Sequence, residues 1–172
     1  MKIKIKKLNE NAKIPTRGSN SAAGYDLYAL EKAEVHGGKT TFIHTGVAVE
    51  IPEGYFGAIY ARSGLACKQN LRPANCVGII DSDYRGEIMI ALHSDKESII
   101  LKEFLVRHDD GHSAFVSRFE AVHNDDSSYT VEAGERVAQL IIQKFEEIEF
   151  EEVDVLEDSS RGEGGFGSTG TK

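Results

Sequence analysis

Cysteine is scarce. Cys67 and Cys76 are the only two in 172 residues, nine positions apart and outside any C-x-x-C spacing. Small secreted scaffolds held by disulfides carry more, so reduced thiols and a cytoplasmic location are expected. No apolar run approaches the roughly 18 residues of a membrane span, and the opening MKIKIKKLNE alternates charge with Ile where a signal peptide has an apolar core. Positive charge is also short, with 20 Lys and Arg against 28 Asp and Glu and a net charge of −8. That balance argues against direct binding to nucleic acid or an anionic membrane, both of which need clustered positive charge. Any anion bound must be held by local groups. The six histidines are scattered, and no Ser-His-Asp or Cys-His grouping can be assembled from them. His108 and His112 stand at i and i+4 in HDDGH, but Asp110-Gly111 is a turn dipeptide, so a helical zinc pair is not expected.

Short strands dominate what is present. Ile3 and Ile5 alternate with lysines, and TTFIHTGVAVEIP, GYFGAIYAR, CVGIID and GEIMIALH are β-rich runs punctuated by Gly, Pro, Asn and Asp. The pattern predicts an all-β sandwich or barrel in one domain, with one short helix over SGLACKQN. Two stretches are less simple. Val137, Leu140, Ile141, Phe145 and Ile148 follow a 3.6-residue period, which by itself favours a helix. The acidic run over 146–157 reads as an exposed edge strand leading into a tail.

That tail, RGEGGFGSTGTK over 161–172, holds Gly162, Gly164 and Gly167 in G-x-G-x-x-G spacing. Such glycines normally bind phosphate at the start of a helix, and with at most five residues following, no helix is expected here. Its composition is that of a flexible segment.

Five stretches taken in order, AAGYDLYA (22–29), ARSGLA (61–66), GIIDSDYRGE (78–87), AGERVAQLI (133–141) and RGEGGFGSTG (161–170), resemble the five motifs of the trimeric dUTPase family. The resemblance implies a β jelly-roll subunit over 1–160, a flexible C-terminal arm over 161–172, and a homotrimer whose active sites draw on all three chains. It implies hydrolysis of dUTP to dUMP and pyrophosphate, which keeps uracil out of DNA and supplies dUMP for thymidylate synthesis. It also makes GERVAQLIIQKF a strand, against its local periodicity.

Residue roles follow from the same resemblance. Asp81 matches the base that deprotonates the attacking water, a role typically worth about 10²–10⁴-fold in rate; taken alone it reads as a turn residue, as Asp83 does. Tyr84 matches the aromatic that packs under the sugar and leaves no room for a 2′-hydroxyl. Main-chain groups from Asn75 through Gly78 to Tyr84, with the Asn75 side chain, match the reader of uracil. Arg62, Ser63 and Gly64 match phosphate contacts, Arg offering a planar donor fork and Gly letting the backbone approach. Gln139 matches a further phosphate ligand, and Arg136 a structural ion-pair partner. Asp26 matches a residue facing Mg²⁺ through ordered water, since that ion takes most direct ligands from substrate phosphates. In the arm, Arg161 matches a γ-phosphate contact, Phe166 a ring stacked on uracil, and Gly167, Ser168 and Thr169 phosphate donors that close as a lid.

Residues 94–127 stand between strands that the family joins more directly. IILKEFLV and AFVSRFEAV flank HDDGHS, which predicts a protruding β-hairpin. The insert resembles that of the bacteriophage-encoded subset, for which the location is the bacterial host cytoplasm. Some members of that subset also bind a repressor of a mobile genetic element, such as a pathogenicity island, so a repressor partner is one reading and a surface insertion without a task is another. Two alternatives to the hydrolase remain: a protein acting mainly through regulatory interactions, and dCTP deaminase. The deaminase shares the fold but reads a second Ser where Gly64 stands, and lacks this tail.

Overall fold

The computed structural model describes residues 1–96, 98–107, 113–122 and 128–164, with 98–107 and 113–122 described as backbone. The chain runs through strands β1 (Lys4–Lys7), β2 (Thr16–Arg17), β3 (Tyr25–Tyr28), β4 (Ala33–Val35), β5 (Thr40–His44), β6 (Val47–Glu50) and β7 (Tyr55–Ala61) into helix α1 (Ser63–Gln69). After it come β8 (Leu71–Pro73), β9 (Gly78–Ile80), β10 (Met89–Ser94), β11 (Ser98–Arg107), β12 (Ser113–Val122), β13 (Tyr129–Val131) and β14 (Arg136–Lys144). A five-stranded sheet has the order β2-β3-β14-β7-β9, and a three-stranded sheet has the order β5-β10-β8. Pairs β1-β6 and β13-β4 complete the body, an all-β jelly-roll with one short helix.

Alternation builds the core. Along β10, Ile90, Leu92 and Ser94 are buried while Met89 is exposed, the period of a strand with one face inward. Leu27, Val35, Ile43, Val47, Leu71, Ile88 and Val131 join them from neighbouring elements. Removing the side chain of a buried Leu such as Leu92 costs roughly 2–5 kcal/mol.

The conflict at 136–144 resolves as a strand. β14 hydrogen-bonds to β3 on one side and β7 on the other. A register shift between Arg136 and Ala138 lets consecutive residues Val137 and Ala138 both be buried. A central strand carrying apolar residues on both faces can show an apolar run that mimics helical spacing. The turn before it is fixed by Gly134 at φ +77° and by Glu135, which accepts from the Tyr129 hydroxyl at 2.6 Å and the Glu132 N–H at 3.0 Å. Burial and that carboxylate push the Tyr129 phenol up to about 12.

Helix α1 forms where expected and stops at Asn70, whose left-handed backbone lets its N–H reach the Leu65 carbonyl. Two expectations change. No strand forms over 146–157; those residues are exposed, and the adjoining β14 already has partners on both edges. The insert begins later than residue 94, because Ser94 is the buried last residue of β10, its N–H donating to the Lys39 carbonyl and its carbonyl accepting from Gly38 N–H. The predicted hairpin is present: β11 and β12 pair in register from Ser98–Val122 to Arg107–Ser113, and with no other described strand.

Candidate active site

Apart from Arg161, the site residues named from sequence that the structure describes fall into two groups. The first surrounds a cavity of about 270 Å³ lined by Asn75, Gly78, Asp81 and Tyr84. Here the chain leaves β8 through a tight turn in which Cys76 N–H donates to the Pro73 carbonyl at 3.0 Å and Cys76 takes φ +61°. Gly78 opens β9 against β7, and a Cβ placed on it would stand 3.2 Å from Ile59 Cβ and 3.3 Å from Asn75 Nδ2. Bare backbone at 78 therefore lets the Asn75 amide sit against it. Residues 81–84 form a turn, Tyr84 N–H donating to the Asp81 carbonyl at 3.2 Å, so both the turn reading and the cavity-lining position of Asp81 hold. Asp81 is exposed to solvent.

The second group centres on Asp26, buried on β3 directly opposite Gln139 on β14. Its carboxylate lies 3.3 Å from Arg62 Nε, 3.2 Å from Arg136 Nη1 and 3.4 Å from Gln139 Nε2. Arg62 also donates from Nη1 to the Arg136 carbonyl at 3.0 Å. The expected ion-pair role of Arg136 is thus directed at Asp26. Arg62 occupies the residue before α1 in extended conformation, and its side chain caps nothing on that helix. Ser63 and Gly64 follow it, exposed, and a Cβ on Gly64 would meet nothing within 4 Å, so backbone there faces open space. Gly24 matters to the same group, since a Cβ on it would reach within 3.2–3.4 Å of the Gln139 side chain.

None of Asp26, Arg62, Ser63, Gly64 or Gln139 lines the cavity that holds the first group. Arg161 stands in a local turn, its Nε donating to the Gly164 carbonyl at 2.7 Å. Phe166, Gly167, Ser168 and Thr169 lie outside the described residues. Sequence reasoning did not single out Phe42, Glu87 or Met89, which also line the cavity. Glu87 lay inside a motif already quoted; Phe42 and Met89 stand half-exposed or more on strands whose inward face is apolar, which is the signal that could have found them. Among the described residues no group of three or more His, Cys, Asp or Glu is placed to hold a metal, and no helix is long and apolar enough to cross a membrane.

The dUTPase family model matches residues 10–103 and 118–170, leaving out 104–117 of the insert. A deoxyuridine 5′-triphosphate nucleotidohydrolase of Nautilia profundicola is 38% identical over 170 residues, 99% of each chain. That of Corynebacterium glutamicum is 36% identical, over 98% of this chain and 94% of its own. Among solved structures, the Staphylococcus bacteriophage 80alpha dUTPase with dUPNHPP superposes with a TM-score of 0.77 at 34% identity, covering 99% of both chains. It is described within work on phage dUTPases that control transfer of virulence genes by a proto-oncogenic G protein-like mechanism. A mutant dUTPase of phage phi11 of S. aureus, described for its coordination of a structural Mg(II) ion, matches with a TM-score of 0.69 at 28% identity, over 92% of this chain and 100% of its own.

Proposed function

The chain belongs to the dUTPase family, the dUTP diphosphatases, and from that premise we propose how its residues split dUTP into dUMP and pyrophosphate. The observation that carries the assignment is the cavity shared by Asn75, Gly78, Asp81 and Tyr84. Its volume of about 270 Å³ lies just below the roughly 300–1,000 Å³ of small-molecule sites, which suits a nucleoside with its phosphates outside. Uracil is read by Asn75 and the backbone around Gly78, and Tyr84 lies under the deoxyribose. Asp81 holds a water and takes its proton as the oxygen attacks the α-phosphorus, while pyrophosphate leaves on the opposite side.

Arg62, Ser63, Gly64 and Gln139 contact the phosphates. Arg161, Phe166, Gly167, Ser168 and Thr169 close over the nucleotide, so the chain divides into a body, 1–160, and a closing arm, 161–172. Mg²⁺ is the cofactor. Asp26 offers one carboxylate already engaged by two guanidinium groups and an amide, which fits an ion held mainly by phosphate oxygens and reaching the protein through water. When bound, the ion neutralises triphosphate charge and favours in-line attack.

The working unit is a homotrimer. Two observations support it. The nucleoside group and the phosphate group do not share a cavity within one chain. Ile148, Phe150, Val155 and Leu156, spaced along the acidic stretch 146–157, are 68–90% exposed, apolar side chains that a second copy would cover. The insert is the candidate contact for a repressor of a mobile element, a reading supported by the phage relatives and by the ribbon's lack of other strand partners among the described residues. Pyrophosphate release from dUTP, dCTP, UTP and dTTP, measured side by side with and without Mg²⁺, tests the reading. Turnover of dUTP alone, dependent on the ion, is the expected result; equal turnover of dCTP or UTP would sink it.

A further inference from the structure

One carboxylate beside the nucleoside cavity has been given no role. Glu87 lines the cavity, and both its carboxylate oxygens are engaged. Oε1 accepts the Gly46 N–H at 2.7 Å, and Oε2 lies 2.9 Å from His44 Nδ1. The Glu87 backbone carbonyl accepts the Tyr84 hydroxyl at 2.9 Å. Between them stands Gly86, where a Cβ would come 2.4 Å from Tyr84 Oη. Only bare backbone there lets the ring fold back across the chain.

The far side of this arrangement is equally fixed. Thr45 donates its hydroxyl to the Ile88 carbonyl, Ile88 N–H donates to the Val47 carbonyl at 2.9 Å, and Leu30 N–H donates to the His44 carbonyl at 2.7 Å. Gly46 has φ +68°, and a Cβ on it would meet Ala12 Cβ at 2.8 Å, so the N–H that grips Glu87 is set by backbone that tolerates no side chain. The segment 44–47 is a rigid support to which Glu87 is tied by its side chain, and Tyr84 rests on Glu87.

We propose that Glu87 is a positioning residue for sugar selection: by tying residue 87 to His44 and Gly46 it holds Tyr84 close enough to the sugar to exclude a 2′-hydroxyl. The inference rests on the reading of Tyr84 as the group under the deoxyribose. A steric gate discriminates only as well as it is held, because a ring that can retreat by a few tenths of an ångström admits the extra oxygen.

The tie is itself sensitive to pH. The hydrogen bond and then the charge of Glu87 raise the His44 pKa above 6.5, burial lowers it, and Glu31 adds a smaller raising effect. Burial works to raise the Glu87 pKa, but hydrogen bonds from His44 and the Gly46 backbone, with the His44 charge, leave it below 4.5. The His44 contribution is complete below 6.5 and is lost as pH rises through its raised value; the Glu87 contribution is present above 4.5 and is lost as pH falls through its lowered value. The charged pair is therefore whole in weakly acidic solution and loses one charge in alkaline solution, where the Gly46 bond remains.

The experiment compares kcat/KM for dUTP and for UTP at about pH 6 and about pH 8.5 in the parent and in Glu87→Ala, Glu87→Gln, His44→Gln and Tyr84→Ala. In Glu87→Ala the dUTP-to-UTP ratio is expected to fall about tenfold, and Glu87→Gln, which can still accept from Gly46, should restore most of it. The parent ratio should be larger at the lower pH, and His44→Gln should abolish that difference. If Tyr84→Ala changes the ratio but Glu87→Ala does not, the tie has no positioning role and the proposal falls alone. If Tyr84→Ala leaves the ratio unchanged, the reading of Tyr84 falls and takes the proposal with it. Should Glu87→Ala fail to fold, an unaltered pH response of the ratio in His44→Gln would overturn the proposal by itself.

Discussion

Replacing Asp26 by Ala removes a buried carboxylate on which two guanidinium groups converge. Arg62 and Arg136 stand 3.3 and 3.2 Å from it and Gln139 at 3.4 Å. Hydrogen bonds to charged groups contribute about 1.5–3 kcal/mol each, and these contacts exceed the roughly 2.7–2.9 Å of the strongest pairs, so the low end applies. Two ionic contacts at that value come to about 3 kcal/mol. The side chains of Arg62 and Arg136 are 23% and 49% exposed, so water reaches them once Asp26 is gone. That holds the loss below the roughly 3–5 kcal/mol of a broken, fully buried pair. The expected destabilisation is about 2–3 kcal/mol, with Asp26→Asn near half of it because one acceptor oxygen survives. Urea denaturation at fixed protein concentration measures it, the concentration mattering for any chain that assembles. A double-mutant cycle with Arg136→Ala should return a coupling of about 0.5–1.5 kcal/mol. A loss under about 0.5 kcal/mol in Asp26→Ala would refute the reasoning, since it would mean that the arginines are as well placed in water as against the carboxylate.

Asp81→Asn should keep fold and nucleotide affinity while lowering kcat by about 10²–10⁴; parent-rate pyrophosphate release would remove Asp81 as the base. If the arm acts only as the proposed lid, deleting residues 161–172 should leave the urea midpoint unchanged and abolish most turnover. Replacing residues 97–127 by a short Gly/Ser turn, which spares the buried Ser94, should preserve pyrophosphate release at a modest loop-closure cost. Binding to a candidate repressor, titrated directly, should then weaken; equal binding would exclude the insert as the principal contact.

The architecture was legible in the sequence wherever one face of a strand is buried. β10 alternates as written, and α1 begins at Ser63 and ends beside a residue able to take a left-handed conformation. β14 was legible only through its resemblance to a known motif, since a strand with neighbours on both edges and apolar residues on both faces loses the two-residue period. The acidic stretch 146–157 has strand composition but no ladder to join in a single chain, and composition cannot supply a partner. Asp26 could be named as a site residue, yet its engagement with Arg136 and Gln139 could not be read, because those contacts span 110 and 113 positions. Glu87 was hidden for a similar reason: its partners His44 and Gly46 stand 43 and 41 positions away in the chain.

The division of the site residues between a cavity and an ion-paired cluster leads to a test of assembly that needs no structure of the complex. Asp81 belongs to the cavity and Arg62 to the cluster, and neither group reaches into the other within one chain. If each active site takes its nucleoside-binding residues from one subunit and its phosphate-binding residues from another, Asp81→Asn and Arg62→Ala chains carry complementary defects. Each should be nearly inactive alone. Mixed in equal amounts and allowed to exchange subunits, they form assemblies in which about a quarter of the sites pair an intact Asp81 with an intact Arg62 from a neighbour. Pyrophosphate release should then rise toward a quarter of the parent rate, far above the sum of the two separate variants. Two variants in the same group, such as Asp81→Asn with Tyr84→Ala, should not complement, because every site then takes both residues from one chain. A mixture of the first pair no more active than its components, after subunit exchange had been demonstrated by mass, would show that the site is built within one chain and that the two groups meet by a movement of that chain.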